Sequence, residues 1–406
     1  MNILVLTSIY PQEDDEKDAG VTPVVKYFAT EWAKAGHEVL VIHNASMYPR
    51  LLYLLPNSWL KKINAWLGIV IPNKEQRKKL KSISNGVRCY RIPMLKFIPK
   101  NKYTDLQIKK QFNKIINVLK DERFSPDIIL GHWENPQIQL LSMLKRKFNV
   151  RTAIVLHALV YINQRRYKKW AQKYMKEIDV IGARSKAIAN QAKELLSLEK
   201  EPFICYSGIP DKYFDNEKYK IINLKDKLEN SYLFVGRLIK RKNVDVCISA
   251  LKKVYKKEKF LFNIVGEGAE REYLETIVKK YKLEKCVKFL GYKQREEVLD
   301  VMNQTQVFIM ISNNETFGLV YIEAMSRGCL VIASKNGGMD GIIKHGYNGF
   351  LCEQGNESEL EEILNAINEL SLEEKLTISK NAIKTAYSFK DSEVAKKYLG
   401  HVIGDY

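Results

Sequence analysis

The chain has 406 residues, 46% of them hydrophobic, and a formal net charge of +19. That length suits two ordinary domains, and that hydrophobic share excludes a disordered chain. The charge is uneven: residues 1–200 carry 35 Lys+Arg against 17 Asp+Glu, or +18, while residues 201–406 carry 31 against 30, so the first half calls for an anionic partner.

"NILVLTSIY" opens the chain as a buried strand. It has no basic start and is only strand length, so no signal peptide is expected. No window supplies the ~18 apolar residues of a spanning helix. Val24 to Ala35 has helical spacing and stops at Gly36, and "HEVLVIHN" is the next strand. "DIILGH", "RTAIVLH", "DVIGA" and "PFICYS" continue the alternation. It restarts with "YLFVGR", "LFNIVGEG", "VKFLGY", "QVFIMIS", "LVIAS" and "GFLC". Strand–helix alternation run twice predicts an α/β chain of two Rossmann-like, doubly wound domains. The expected bounds are 1–208 and 229–385, joined by a linker at 209–228. Residues 386–406 are expected as a C-terminal helix packing back on the first domain. Cys89, Cys205, Cys247, Cys286, Cys329 and Cys352 form no CxxC pair, which argues against zinc and disulfides and suits a reducing cytoplasm.

In such sheets ligands sit beyond the carboxyl ends of the strands. After "YLFVG", ending in Gly236, come Arg237 and Lys242. A guanidinium and an ammonium there can hold a diphosphate, though two solvated loop cations read the same way. Gly268 of "VGEG" follows another strand, a weak signal that tight turns share. "SNNETFGLVYIEAMSRG" is the richest stretch: a loop with Glu315, then a helix from about Phe317 to Arg327, stopped by Gly328. The amides of Phe317, Gly318 and Leu319 would form an anion site at the helix N-terminus. Glu323 lies about 1.5 Å of rise per residue further along, where a carboxylate suits the vicinal diol of a ribose. Separately, Glu315 is also a helix-dipole charge and Glu323 a helix-surface residue. Together with the glycine and the cations they make a pattern.

"GRLIKRK", "GEGAEREYLE", "FLGY", "ETFGLVYIEAMSRG", "ASKNGG" and "NGFL" follow one another in an order and spacing that resembles the retaining glycosyltransferase family 4, of the GT-B fold. "SIYPQ…AG", "AGHEVLVI" and "LGHWENP" extend the likeness into the first half. The resemblance implies two facing domains with an interdomain cleft, a nucleotide-sugar in the second and an acceptor held largely by the first. It implies Arg237 and Lys242 on the donor diphosphate, Glu315 on the transferred sugar and Glu323 on the ribose. Gly20 would lie near the phosphates, His132 beside the sugar, and Gly236, Gly268 and Tyr292 around the donor. His132, Glu315, Arg237 and Lys242 are thus the catalytic candidates. The implied chemistry is metal-independent transfer with retention, without a cofactor, and a UDP-sugar is favoured over a GDP-sugar. Departures are "AG" for paired glycines after the first strand, Asn243 after Lys242, and Met339-Asp340-Gly341 after "NGG". Asn243 is tolerable because Asn can take positive φ, and backbone amides of Gly337 to Asp340 would replace one sugar contact. His157 also matches a family position, although a strand-end histidine is more often a structural hydrogen-bonder, and His37 reads as structural.

From Arg50 to Lys110 there are 15 Lys+Arg and two acids, Glu75 and Asp105. "YPRLLYLLPNSWLKKINAWLGIVIP" reads as an interfacial helix pair, followed by "KEQRKKLK". Lys61, Lys62, Trp66, Arg77, Lys78 and Lys79 are the acceptor and membrane candidates, and "NQRRYKKWAQKYMK" is a second cationic–aromatic cluster. The expectation is a cytoplasmic enzyme, peripheral on the inner face of the plasma membrane, acting on a lipid-linked or envelope glycan and binding no nucleic acid. The alternatives are a sugar-nucleotide epimerase and a basic nucleic-acid-binding protein.

Overall fold

The computed structural model describes residues 1–11, 22–56, 59, 80–98, 101–215, 220–256, 259–315 and 317–404. It divides into two compact units: residues 1–184, 188–205 and 394–406, and residues 185–187 and 206–393.

In the first unit, strands β1 (Asn2–Thr7), β2 (Glu38–Met47), β3 (Leu80–Ser84), β4 (Val87–Leu95), β5 (Ile128–His132), β6 (Arg151–Leu156), β7 (Val180–Ala183) and β8 (Phe203–Ile204) form one sheet, in the order β3-β4-β2-β1-β5-β6-β7-β8. All its pairings are parallel except β3 with β4. That hairpin went unread in the sequence. Its signal is Asn85-Gly86, both at positive φ between alternating segments, the usual demand of a two-residue turn. Ile3 to Leu6 are fully buried, as a strand covered on both faces requires. Helix Val24–Lys34 buries Val25, Phe28, Ala29 and Trp32, one stripe at helical spacing. Helix Asp105–Asp121 starts at a Thr104/Gln107 capping box, and its buried Gln111 donates to Asn44 Oδ1 at 2.8 Å.

In the second unit, β9 (Leu228–Val235), β10 (Leu261–Val265), β11 (Val287–Gly291), β12 (Thr305–Met310), β13 (Leu330–Ser334) and β14 (Phe350–Cys352) form a parallel sheet ordered β11-β10-β9-β12-β13-β14. The chain order reverses between β9 and β12, the switch point at which ligands of such sheets sit. Lys227, just before β9, is buried, and its ammonium donates to Met302 O at 2.8 Å, Thr305 O at 3.0 Å and Arg327 O at 2.8 Å. One side chain thereby satisfies carbonyls at the C-terminal ends of helices Arg295–Gln304 and Leu319–Ser326.

The segment expected as a linker is built into the second unit: Ile209 bridges to Lys390, and Leu224 is buried. Helix Asp391–Ile403 belongs to the first unit from Val394 onward. There Trp32 Nε1 donates to Ala395 O at 3.0 Å, and Tyr398 sits edge-on to Phe28 at 5.3 Å. All six cysteines are free.

Candidate active site

After β9 the chain passes Gly236 and Arg237 into the short turn Lys240–Lys242. Asn243 closes that turn at φ 52° and starts helix Val244–Tyr255, the left-handed conformation a short polar side chain tolerates. The turn buries Lys242, whose ammonium forms a tight ion pair with Glu315 Oε2. Arg241 Nη1 lies 3.5 Å from the same oxygen. An ammonium has three donors, so Lys242 can hold Glu315 and still donate to a phosphate oxygen. Arg237 is exposed on its loop and does not line the pocket to which Lys242 belongs.

The helix expected from Phe317 runs from Leu319 to Ser326, with Gly318 as its cap at φ 74°. A Cβ on Gly318 would stand 2.6 Å from the Tyr321 ring and 3.3 Å from Glu315 Cγ. Only glycine fits, and the helix begins after it for that reason. Phe317 is a core aromatic, its ring centroid 5.4 Å from Tyr206 and 6.1 Å from Phe389. Glu323 is 8% exposed, and its Oε1 accepts from Arg295 Nε at 2.6 Å.

These groups share an open pocket of about 370 Å³, lined by Lys242, Tyr292, Arg295, Glu315, Gly318 and Glu323, with Gly236 and Leu319 beside them. Tyr292 is well exposed there. Gly268 has another reason to be glycine: its Cβ would meet Leu238 O at 2.2 Å, where the loop after β9 crosses the loop after β10. The Asp340 amide, expected as a sugar donor, is used inside its own turn, bonding Gly337 O at 3.1 Å.

His132 lies in the first unit, at the end of β5, with no exposed surface. Its Nδ1 is 3.0 Å from His157 Nε2, and its Nε2 is 3.4 Å from Tyr398 Oη. Burial, reinforced by the Arg184 charge, lowers its pKa to about 3, so the imidazole is neutral. The His157 pKa is also lowered, first by burial, and its ring stacks on Trp133 at 3.9 Å. Both nitrogens of His132 are engaged, and in this conformation the ring is closed to a ligand. Gly20, Lys61, Lys62, Trp66, Arg77, Lys78 and Lys79 lie outside the described residues.

Sequence reasoning missed three groups. Arg241 and Arg295 are charges whose partners stand far off in the chain. Glu134 is buried after β5, where Oε2 accepts from Tyr161 N at 2.7 Å and burial pushes its pKa up to about 8. The signal for Arg295 was its place at the start of a helix whose Glu297 caps the Gln294 amide at 2.8 Å. Among the described residues no group of three or more His, Cys, Asp or Glu could hold a metal ion, and no helix is long and apolar enough to cross a membrane.

Two family models match end to end: Glycosyltransferase Family 4 over residues 19–212 and Glycosyl transferases group 1 over residues 215–385. An uncharacterized glycosyltransferase of Methanocaldococcus jannaschii is 28% identical over 317 residues, 77% of this chain and 79% of that protein. A glycosyltransferase from Rickettsia africae has a similar fold at TM-score 0.70 and 16% identity, over 100% of this chain and 99% of that one. HepE of Anabaena has been solved with UDP (TM-score 0.67, 17% identity) and with UDP-glucose (0.63, 16%), each over 100% of both chains. The chain belongs to the group 1, family 4 glycosyltransferases of the GT-B fold class. It is a glycosyltransferase.

Proposed function

We propose that the pocket of the second unit binds a nucleotide-sugar, and that the enzyme passes the sugar to an acceptor hydroxyl with retention of anomeric configuration and without a metal. The observation that carries this reading is the meeting of Lys242, Glu315, Gly318 and Glu323 around one pocket at the sheet's switch point. Glu323 takes the ribose hydroxyls, Lys242 neutralises the diphosphate and Glu315 contacts the transferred sugar. Departure of the nucleoside diphosphate frees a phosphate oxygen on the face the acceptor approaches. That oxygen takes the acceptor proton as the new C–O bond forms, so no protein base is required. A UDP-sugar is the favoured donor, in line with the UDP and UDP-glucose complexes of HepE.

The same proposal places the acceptor at a membrane surface, on a lipid-linked or envelope glycan, with the enzyme peripheral on the inner face of the plasma membrane. Its support lies in the first unit, where the segments after β2, β4 and β6 meet. Lys96 N donates to Met47 O at 2.6 Å, Lys96 Nζ to Tyr161 Oη at 2.7 Å, and Arg166 Nη2 to Asn101 Oδ1 at 2.9 Å. Leu51, Leu54, Phe97, Ile98, Leu106 and Val160 are exposed on these segments, among exposed Arg50, Lys109, Arg165 and Arg166. Apolar side chains rimmed by cations suit an anionic bilayer. No specific observation favours an epimerase or a nucleic-acid binder.

The test is turnover of an α-linked UDP-sugar followed by NMR. Release of UDP with an α-configured product is expected. A β-configured product would overturn retention, and the absence of turnover across UDP-, GDP- and ADP-sugars would overturn the donor reading.

A further inference from the structure

Glu323 is held by a residue that no motif singled out. Arg295 Nε donates to its Oε1 at 2.6 Å, and the guanidinium lies 5.3 Å from the centre of the Tyr213 ring. The two side chains are 25% and 10% exposed, and both line the donor pocket. Neighbouring charges are committed elsewhere: Lys293 pairs with Glu297 at 3.3 Å, and Glu296 with Lys212 at 3.2 Å. The backbone beneath is fixed as well, since Lys227 ties together the C-terminal ends of the helices carrying Arg295 and Glu323.

Among the described residues, Glu323 Oε2 accepts no hydrogen bond. With one oxygen clamped by a charge-assisted bond, the carboxylate plane is set and the second oxygen offers its lone pairs in a fixed direction. A lone carboxylate on a helix would rotate and lose that direction. We propose that Arg295 is a positioning residue: it clamps Glu323 so that the second oxygen accepts from the ribose 2′-hydroxyl, and so makes the pocket select ribonucleotides over 2′-deoxyribonucleotides. This rests on the reading of Glu323 as the ribose contact.

The experiment is titration calorimetry on the full chain with UDP, GDP, ADP and CDP and their 2′-deoxy counterparts. Wild type is expected to bind one ribonucleotide about tenfold more tightly than its 2′-deoxy form, equivalent to about 1.4 kcal/mol. Arg295→Met keeps the apolar stem over Tyr213 and removes the donor. It should lower ribonucleotide affinity to the deoxy level and leave deoxy affinity unchanged. Should that variant not fold, Arg295→Ala is read in the same way. In a Glu323→Ala background the Arg295 change should have no further effect, which a merely structural role would not produce.

A ribose preference that survives in the Arg295 variant overturns the proposal. So does an equal loss for both nucleotide forms, which would make Arg295 a direct phosphate or base contact. Wild-type binding without ribose preference overturns the Glu323 assignment, and with it the role of Arg295. No wild-type binding of any nucleotide overturns the donor pocket itself.

Discussion

The pocket of the second unit and the end of β5 in the first handle ionisable groups in opposite ways. In the pocket, the largely buried side chains of Lys242 with Glu315 and of Arg295 with Glu323 form ion pairs, so charge is kept by pairing. At the end of β5, His132 and Glu134 are almost wholly buried, and burial drives one pKa down and the other up until both are neutral. Charge retained at a pocket can meet an anionic diphosphate. Charge removed inside a hydrogen-bonded cluster holds a loop in shape. The difference fits the proposed donor role of the second unit's pocket, while His132 and Glu134 stay neutral and enclosed.

Removing one partner of the first ion pair should break the comparison most sharply. Lys242→Met strands Glu315 and withdraws a preorganised cation, so kcat should fall by about 10²–10³. Stability should fall too, and Lys242→Met/Glu315→Gln should recover part of it, read by thermal melting, because the double change leaves no unpaired charge. Recovery of activity in the double variant would contradict a role for Lys242 at the donor.

Gly318→Ala should be next, at about 1–3 kcal/mol of destabilisation, since φ 74° and the Tyr321 ring leave no room for a Cβ. Donor affinity should fall with it, and denaturant melts beside calorimetry separate the two losses. Phe97→Asp/Ile98→Asp should weaken co-sedimentation with anionic vesicles by about tenfold or more, because each buried side chain is worth about 1.5–3 kcal/mol. Nucleotide affinity should not change, and equal binding of wild type to neutral and anionic vesicles would sink the membrane reading.

The pH dependence of stability sharpens the other half of the comparison. The folded His132 value of about 3 lies below its ordinary 6.5, so the unfolded chain binds the extra proton and stability drops as pH falls through that window. Glu134 has the opposite sign. Its folded value of about 8 lies above 4.5, so the folded chain holds a proton the unfolded chain releases, and stability drops as pH rises from about 4.5 to about 8. Glu134→Gln should melt later than wild type at pH 8 and alike at pH 4. An unchanged difference between the two pH values would show that Glu134 is not buried as a neutral acid.

Apart from β3 and β4, the strands of both sheets were legible in the sequence because buried strands leave short apolar runs, and the glutamates eight residues apart were legible because they lie on one local segment. Contacts across long stretches of chain were not. Lys242 and Glu315 are 73 residues apart, Arg295 and Glu323 are 28, and His132 and Tyr398 are 266. No local period reports such meetings. Lys242 and Glu315 accordingly read as two separate charges, and the fold adds that they form an ion pair. It offered His132 to the sugar, whereas tertiary packing encloses its ring. The hairpin at Asn85-Gly86 was readable, and the surrounding cations drew attention from its alternation.

The most direct test of the account is a thermal-shift panel of UDP, GDP, ADP, CMP and dTDP on wild type, Glu323→Ala and Lys242→Met. A nucleotide at a hundred times its dissociation constant stabilises the folded state by about 2.7 kcal/mol, enough to move the melting temperature measurably. The account predicts that one nucleotide, most plainly UDP, shifts wild type and that both variants lose most of the shift. If no nucleotide shifts wild type, or if both variants keep the full shift, the second unit's pocket is not the donor site.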